Sequence, residues 1–394
     1  MVITDSEKNA AKRWKALTVA LWLAAFGAVA VMVALKPHKR TVTNLYHAAV
    51  ERWVARLPLY DGPSGMNYLP SFVPVFAPFH VFPLPVAEVI WRGVAYAGLA
   101  FGLFWFVRQI GNSRRERAAA LITLLALPLS LPALRNGQAN AHLGVVLLLA
   151  AVALAAERWT MAAVMLGLAV AIKPLGLAAI GLAWMAYPAL WWRLGIAVAV
   201  VFGVPFISAP PDYVIEQFGE AFRNLRECAA VTEDRFADLN GLLRAIGTPL
   251  STSASLVARG GAAMLFAGIA FTKLRVLPVR ERALAWLMIS ASYLMLFNPM
   301  NEANSYVILA SPLALWAWEL FLVGRRRLAW GLVAALATMS LLPNLLRPWL
   351  GNQFALVWHP LMTILCLSAL LVGWFRYRRK TGPTEEIGST VFPG

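Results

Sequence analysis

The sequence predicts an all-α fold, a polytopic bundle of membrane-spanning helices, and three observations carry that expectation. Of 394 residues, 60% are apolar and 14% are charged, against about 25% charged in an ordinary soluble domain. The mean hydropathy is +0.65. The apolar residues fall in runs close to the roughly 20 residues that a bilayer crossing needs. That many apolar side chains do not fit inside one water-soluble core, which excludes a cytosolic enzyme, a fibrous protein and a disordered chain. The 24 prolines and 27 glycines are scattered through the runs, where neighbouring helices can satisfy the backbone groups they free.

Taken in order, the runs place crossings near residues 16–35, 86–107, 118–134, 141–156, 160–176, 177–192, 194–209, 252–272, 282–299, 303–323, 328–343 and 358–375. That makes about twelve, within a single integral membrane domain spanning 1–394. The first run, Ala16 to Leu35, has no small-residue cleavage site before the lysines that follow it and reads as an uncleaved helix rather than a signal peptide. The net charge of +16 comes from short basic clusters between runs, the pattern of cytoplasmic loops, so it points to no nucleic acid. With the tails 1–15 and 376–394 in the cytoplasm, most of the 35 lysines and arginines fall on the inner side, as expected for the cytoplasmic (inner) membrane. Cys228 and Cys366 make no disulfide framework.

Inner connections are short, and two outer ones are long, 36–85 and 210–251. Functional groups concentrate on long loops held by a rigid scaffold, so the chemistry is expected to face outward. In the first loop Tyr46, Val50, Trp53, Val54 and Leu57 recur at helical spacing, with His47, Glu51 and Ala55 on another face. This predicts a helix lying on the membrane surface. The apolar stretch from Tyr68 to Pro85 is broken by Pro70, Pro74, Pro78, Pro83 and Pro85 and reads as a re-entrant or kinked piece. In the second loop Val214, Phe218, Phe222 and Leu225 repeat the amphipathic spacing. Asp212 and Glu216 come early there and Arg223 and Arg226 late, which matches a helix dipole.

No Gly-rich phosphate loop ending in Lys-Ser or Lys-Thr is present. The five histidines have no metal-ligand spacing, so neither a metal nor another cofactor is expected. What remains are polar groups within or at the mouths of the crossings: Arg135, Asn136, Gln138, Asn140 and His142; Lys173, followed by Pro174; and Asn298, Asn301, Glu302 and Asn304. Ionisable residues at membrane depth are costly and mark functional sites by default. Lys173, set between Ala-Val-Ala-Ile and Pro-Leu-Gly-Leu-Ala, fits a fixed cation for an anionic ligand; the bland alternative is a lysine snorkelling to the interface. A polar turn is the bland alternative for 135–142 and for 298–304. The 16 tryptophans belong more naturally to interfacial belts than to sugar platforms.

The run Asn136-Gly137-Gln138-Ala139-Asn140, then an apolar helix, a basic hairpin at Arg158, and Ile172-Lys173-Pro174 is similar to the Gly-Gln-x-Asn … Lys-Pro signature of glycosyltransferase family 87. Tyr46-His47-Ala48-Ala49, Pro58-Leu59-Tyr60-Asp61 and Tyr68-Leu69-Pro70 resemble that family's first outer loop, and Asp238-Leu239-Asn240-Gly241-Leu242 its second. The resemblance implies a class C membrane glycosyltransferase that moves a sugar from a polyprenyl-phosphate donor to a lipid or glycan acceptor among membrane lipids. Such enzymes usually carry a catalytic aspartate soon after the first helix, where this chain has Asn44, and an asparagine cannot serve as a base. Transfer from a lipid phosphate needs a base for the acceptor hydroxyl and fixed cations for the leaving phosphate. The candidates for the base are Glu51, Asp61 and Glu302. Those for the donor phosphate and sugar are Lys173, Arg135, Gln138, Asn140, His142 and, from the resemblance, Asn240. The competing classes are a transporter or lipid-linked glycan flippase, disfavoured by the lack of an internal repeat, and a ligase or polymerase of surface glycans, which shares this architecture.

Overall fold

The computed structural model describes residues 5–63, 65–108, 115–231 and 236–381; the ends of the expected tails, 1–4 and 382–394, lie outside the described residues. The fold is all-α, with no strand among the described residues. The long helix α1 (Asp5–Leu35) is followed by a connection carrying α2 (Thr43–Val54) and α3 (Phe72–His80). Then come α4 (Leu84–Arg108), α5 (Arg115–Asn136), α6 (Ala139–Ala155), α7 (Trp159–Ile172), α8 (Gly176–Ala186), α9 (Trp191–Gly203) and the single turn α10 (Pro205–Ser208). A second connection carries α11 (Pro211–Ala230) and α12 (Leu239–Ala245). The chain closes with α13 (Thr252–Ile269), α14 (Val279–Phe297), α15 (Val307–Leu322), α16 (Arg326–Leu350) and α17 (Gln353–Thr381). Among the described residues, seven stretches are long and apolar enough to cross a membrane: Lys12–Leu35, Leu84–Arg108, Pro188–Ser208, Thr252–Leu274, Ala303–Leu322, Arg326–Leu350 and Gln353–Gly373. The chain is a multi-pass membrane protein.

The shorter apolar helices form the centre. α6 is apolar around its whole circumference and correspondingly buried on every side, packed among α4, α5, α7, α14 and α15. Its approach to α4 is close because Gly98 and Gly102 face it; a Cβ at these positions would lie 2.5 Å from Val145 and 2.7 Å from Leu148, the small-xxx-small packing typical of membrane helices. The run expected as one crossing over 160–176 instead stops at Ile172. Lys173 is extended (φ −154°, ψ 132°) because the ring of Pro174 excludes the helical conformation from the residue before it. Gly176 then opens α8 in a turn so tight that a Cβ there would lie 2.5 Å from the carbonyl carbon of Ala169.

The two long connections interlock. On α2 the inward stripe is Tyr46, Ala49, Val50 and Trp53. Val54 and Leu57, expected on that stripe, are 77% and 53% exposed, because the helix ends at Val54 and Arg56 adopts a left-handed conformation that turns the chain away. α11 buries Val214, Gln217, Phe218 and Ala221 but turns Phe222, expected on the same stripe, outward. It is pinned to the first connection by Leu59 N donating to Gln217 Oε1 (2.9 Å), Tyr213 Oη to the Leu57 carbonyl (2.7 Å), and Asn224 Nδ2 to the Met66 carbonyl and Asn67 Oδ1 (both 2.9 Å).

Candidate active site

The site is built outward from the corner between α5 and α6. α5 ends at Asn136, Gly137 takes a left-handed φ of +66°, the usual way to terminate a helix, and Gln138 is extended before α6 begins at Ala139. The corner therefore aims Gln138 and Asn140 from the α6 N-terminus. Asn140 is the hub: its Oδ1 accepts from Lys173 Nζ at 2.8 Å, and its Nδ2 donates to Ser305 Oγ at 2.8 Å and to Gln138 Oε1 at 3.4 Å. Gln138 Nε2 in turn donates to Glu302 Oε2 at 3.1 Å. Three segments distant in sequence thus meet: the α5–α6 corner, the break between α7 and α8, and the turn after α14.

These groups open into a cavity of about 620 Å³, within the usual range for small-molecule sites. One wall is Val42, Leu45, Tyr46, Asn67 and Tyr68 from the first connection. Another is Lys173, Leu175 and Ala178; a third is Tyr293, Phe297, Asn298 and Glu302; Leu225, Cys228, Phe236 and Arg259 complete it. Glu302 is the only carboxylate among the described residues lining the cavity, and Lys173 and Arg259 are its cations. Arg259 sits with Nη2 4.0 Å from Asp238 Oδ2 and Nη1 3.3 Å from the Ala229 carbonyl. Asp238 also caps α12 by accepting from Gly241 N at 2.7 Å. Burial raises the Asp238 carboxyl above its ordinary pKa, opposed by that amide and by Arg259.

Of the nine candidates for the base and for the donor phosphate and sugar, Gln138, Asn140, Lys173 and Glu302 converge on the cavity, and five do not line it. Glu51 is exposed on α2. His47, one turn earlier, faces away from it, with Nδ1 2.8 Å from His80 Nδ1 and Nε2 3.7 Å from Glu88. Asp61 is an exposed partner of Arg52. Arg135 is exposed at the end of α5. His142 is buried in the helix core, its ring 3.5 Å from that of Trp91 and its Nε2 3.0 Å from the Trp91 carbonyl. Asn240 has both amide atoms on the Leu250 backbone, with Oδ1 accepting at 2.8 Å and Nδ2 donating at 3.5 Å. Asn44 is exposed and also off the cavity. Asn301 caps α14, its Nδ2 donating to the Leu294 and Met295 carbonyls at 2.7 and 2.8 Å.

Two sets of residues were missed. Arg259 interrupts an apolar run as Lys173 does, and the same rule finds it. Glu88 and Arg92 stand four apart on α4, the spacing of a helical ion pair, and are 0% and 1% exposed with Arg92 Nη1 2.7 Å from Glu88 Oε2. Thr41 and Thr43 donate to Glu88, and Arg92 Nε donates to the Arg135 carbonyl at 3.0 Å. This buried cluster ties the start of α2 to the α5–α6 corner, alongside the bond from Val42 N to the Asn136 carbonyl at 3.1 Å.

A model of glycosyltransferase family 87 matches residues 67–299, a stretch that contains the corner, Lys173, Arg259 and Asn298. The chain is also 27% identical over 349 residues, covering 81% of its own length and 78% of the relative's, to the polyprenol-phosphate-mannose-dependent alpha-(1-2)-phosphatidylinositol pentamannoside mannosyltransferase of Mycolicibacterium smegmatis. The match extends over most of the bundle rather than one motif, and it decides for a transferase over a transporter. This chain belongs to glycosyltransferase family 87 and is a membrane glycosyltransferase.

Proposed function

We propose that the protein moves a sugar, mannose being the first candidate, from a polyprenyl-phosphate donor to a hydroxyl of a lipid-linked glycan acceptor on the outer face of the cytoplasmic membrane. The observation that carries this reading is the single cavity in which one carboxylate, Glu302, is linked to the cation Lys173 through the amides of Gln138 and Asn140, with a second cation, Arg259, also lining it. A lipid-phosphate sugar demands that set. As the acceptor oxygen bonds to the anomeric carbon, its proton passes to Glu302. The bond from that carbon to the phosphate oxygen breaks with its electron pair, and the polyprenyl phosphate leaves with its charge facing Lys173 and Arg259.

The mannose dependence and the glycolipid acceptor in the relative's name favour a mannosyl donor and an acceptor of that kind here. With Asn44 off the cavity, Glu302 takes the place of the acid that related enzymes carry in the first loop. The apolar and aromatic wall of Leu175, Ala178, Tyr293 and Phe297 suits the lipid end of the donor.

The test is to incubate the purified protein with radiolabelled polyprenyl phosphates bearing mannose, glucose, galactose or arabinose, together with membrane lipid extract as acceptor. Transfer from one donor, lost in Lys173→Ala, is the expected result. No release of sugar from any donor would overturn the reading.

A further inference from the structure

Tyr46 and Tyr68 reach the cavity from the first connection, and their hydroxyls are 2.8 Å apart. Tyr46 is 1% exposed, and its oxygen accepts the amide hydrogen of Ala139, the first residue of α6, at 3.1 Å. Tyr68 is fixed by other means: its ring stacks on Phe72 with centroids 4.5 Å apart, and its carbonyl accepts from Tyr60 Oη at 2.8 Å. Burial pushes the Tyr46 phenol up to about 12 and the Tyr68 phenol well above its ordinary value, so both protons are present at neutral pH.

The direction of the bond between the two follows from their surroundings. If Tyr68 donated to Tyr46, the Tyr46 hydrogen would be left buried without an acceptor among its described bonds, an arrangement that folded proteins avoid. Tyr46 therefore donates to Tyr68, and the Tyr68 hydrogen is left for an acceptor in the cavity, which has room for a ligand and also holds the Glu302 carboxylate close enough to act on the Tyr68 phenol. Each bond in such a chain polarises the next, and this one starts at the amide of a helix N-terminus, the positive end of its dipole. The result is a strengthened donor, held rigid, in the same cavity as Glu302.

We propose that Tyr68 is a specificity-determining residue that donates a hydrogen bond to one hydroxyl of the transferred sugar, with Tyr46 as the positioning residue that orients it. The inference rests on the cavity being the donor-sugar site. A buried site built to hydrogen-bond a substrate hydroxyl discriminates strongly against the analogue lacking it, because its own polar group is then left unpaired.

The test compares wild type, Tyr68→Phe and Tyr46→Phe on polyprenyl-phosphate mannose and on each of its monodeoxy analogues. One analogue is expected to lose about 10- to 100-fold in kcat/KM with the wild type, the worth of a single buried hydrogen bond. Tyr68→Phe loses a similar factor on the parent donor and no further factor on that analogue, while the penalties of the other analogues are unchanged. Tyr46→Phe keeps Tyr68 but frees its orientation, so the same analogue's penalty shrinks without vanishing; this variant also decides the matter if Tyr68→Phe does not fold. If the penalties of all analogues are the same in the three proteins, or if the coupling appears on deoxy acceptors instead, the inference is overturned while the transferase reading stands. A wild type that transfers sugar from none of these donors, nor from the wider donor panel, overturns both.

Discussion

Lys173 stood out in the sequence because a lone cation between two apolar runs has few reasons to be there, and in the fold its ammonium meets Asn140 at 2.8 Å on the cavity wall. From sequence Glu302 ranks third of three carboxylates, behind Glu51 and Asp61, because the resemblance places the acid in the first outer loop. Its place on the cavity wall beside Gln138, a property of the assembled fold, distinguishes it. A positioned general base contributes about 10²–10⁴-fold in rate, so Glu302→Gln is expected to lower turnover by that order. Glu51→Gln and Asp61→Asn, both exposed, should stay within about a factor of two in the same assay, since a surface ion pair such as Arg52 with Asp61 is worth at most about 1 kcal/mol. Arg259→Ala should cost turnover more than Arg135→Ala by about 10-fold or more, because a charge-assisted hydrogen bond contributes roughly 1.5–3 kcal/mol and only Arg259 reaches the cavity. Side-by-side initial rates in one detergent check both orderings.

At the scale of elements, the break between α7 and α8 sets the position of the cation. Proline at 174 was visible as a breaker, but its effect on Lys173 depends on Gly176 letting α8 fold back against Ala169 and Val170. Overpacking a tight contact costs about 1–3 kcal/mol, so Gly176→Ala should lower the thermal midpoint and shift Lys173, with a fall in activity that Gly181→Ala, in open space on α8, does not produce. The Glu88 and Arg92 pair is the second element-scale device, and it makes a sharper prediction. Removing one partner of a buried ion pair is destabilising by about 3–5 kcal/mol, whereas replacing both with apolar groups of similar size is often neutral. Glu88→Leu and Arg92→Met alone should each aggregate or melt early, and the double variant should recover much of the lost stability. Melting in detergent, followed by tryptophan fluorescence, reads all three. The amphipathic spacing foretold α2 and α11, yet it put Val54, Leu57 and Phe222 on the wrong side, since a helix pattern says which residues share a face and not where the helix stops or what covers it.

For the whole molecule, the basic clusters between runs predict which ends of the helices face the cytoplasm. Single cysteines at positions 280 and 326, in a chain whose buried Cys228 and Cys366 are changed to serine, should stay unlabelled by an impermeant thiol reagent on intact cells, and a cysteine at 61 should react. The reverse pattern would put the cavity on the inner side. The all-α, membrane-spanning character and the order of the apolar runs were legible from sequence because each crossing must satisfy its own backbone hydrogen bonds and so declares itself locally as an apolar run. Of the roughly twelve crossings expected, seven stretches among the described residues have the length and apolarity to span, and shorter helices build the centre. The signature around Gln138, Asn140 and Lys173 was legible for a related reason: polar residues inside such runs are conspicuous. Tertiary structure alone decided that Glu302 rather than Glu51 faces those residues and that Arg259 rather than Arg135 lines the cavity. It also placed Asn240 on the Leu250 backbone and His142 against Trp91, both off the cavity wall, and brought Tyr46 and Tyr68 together at the α6 N-terminus. Each depends on contacts between segments far apart in the chain, and the run length and periodicity that reveal a helix carry no information about which neighbours it acquires.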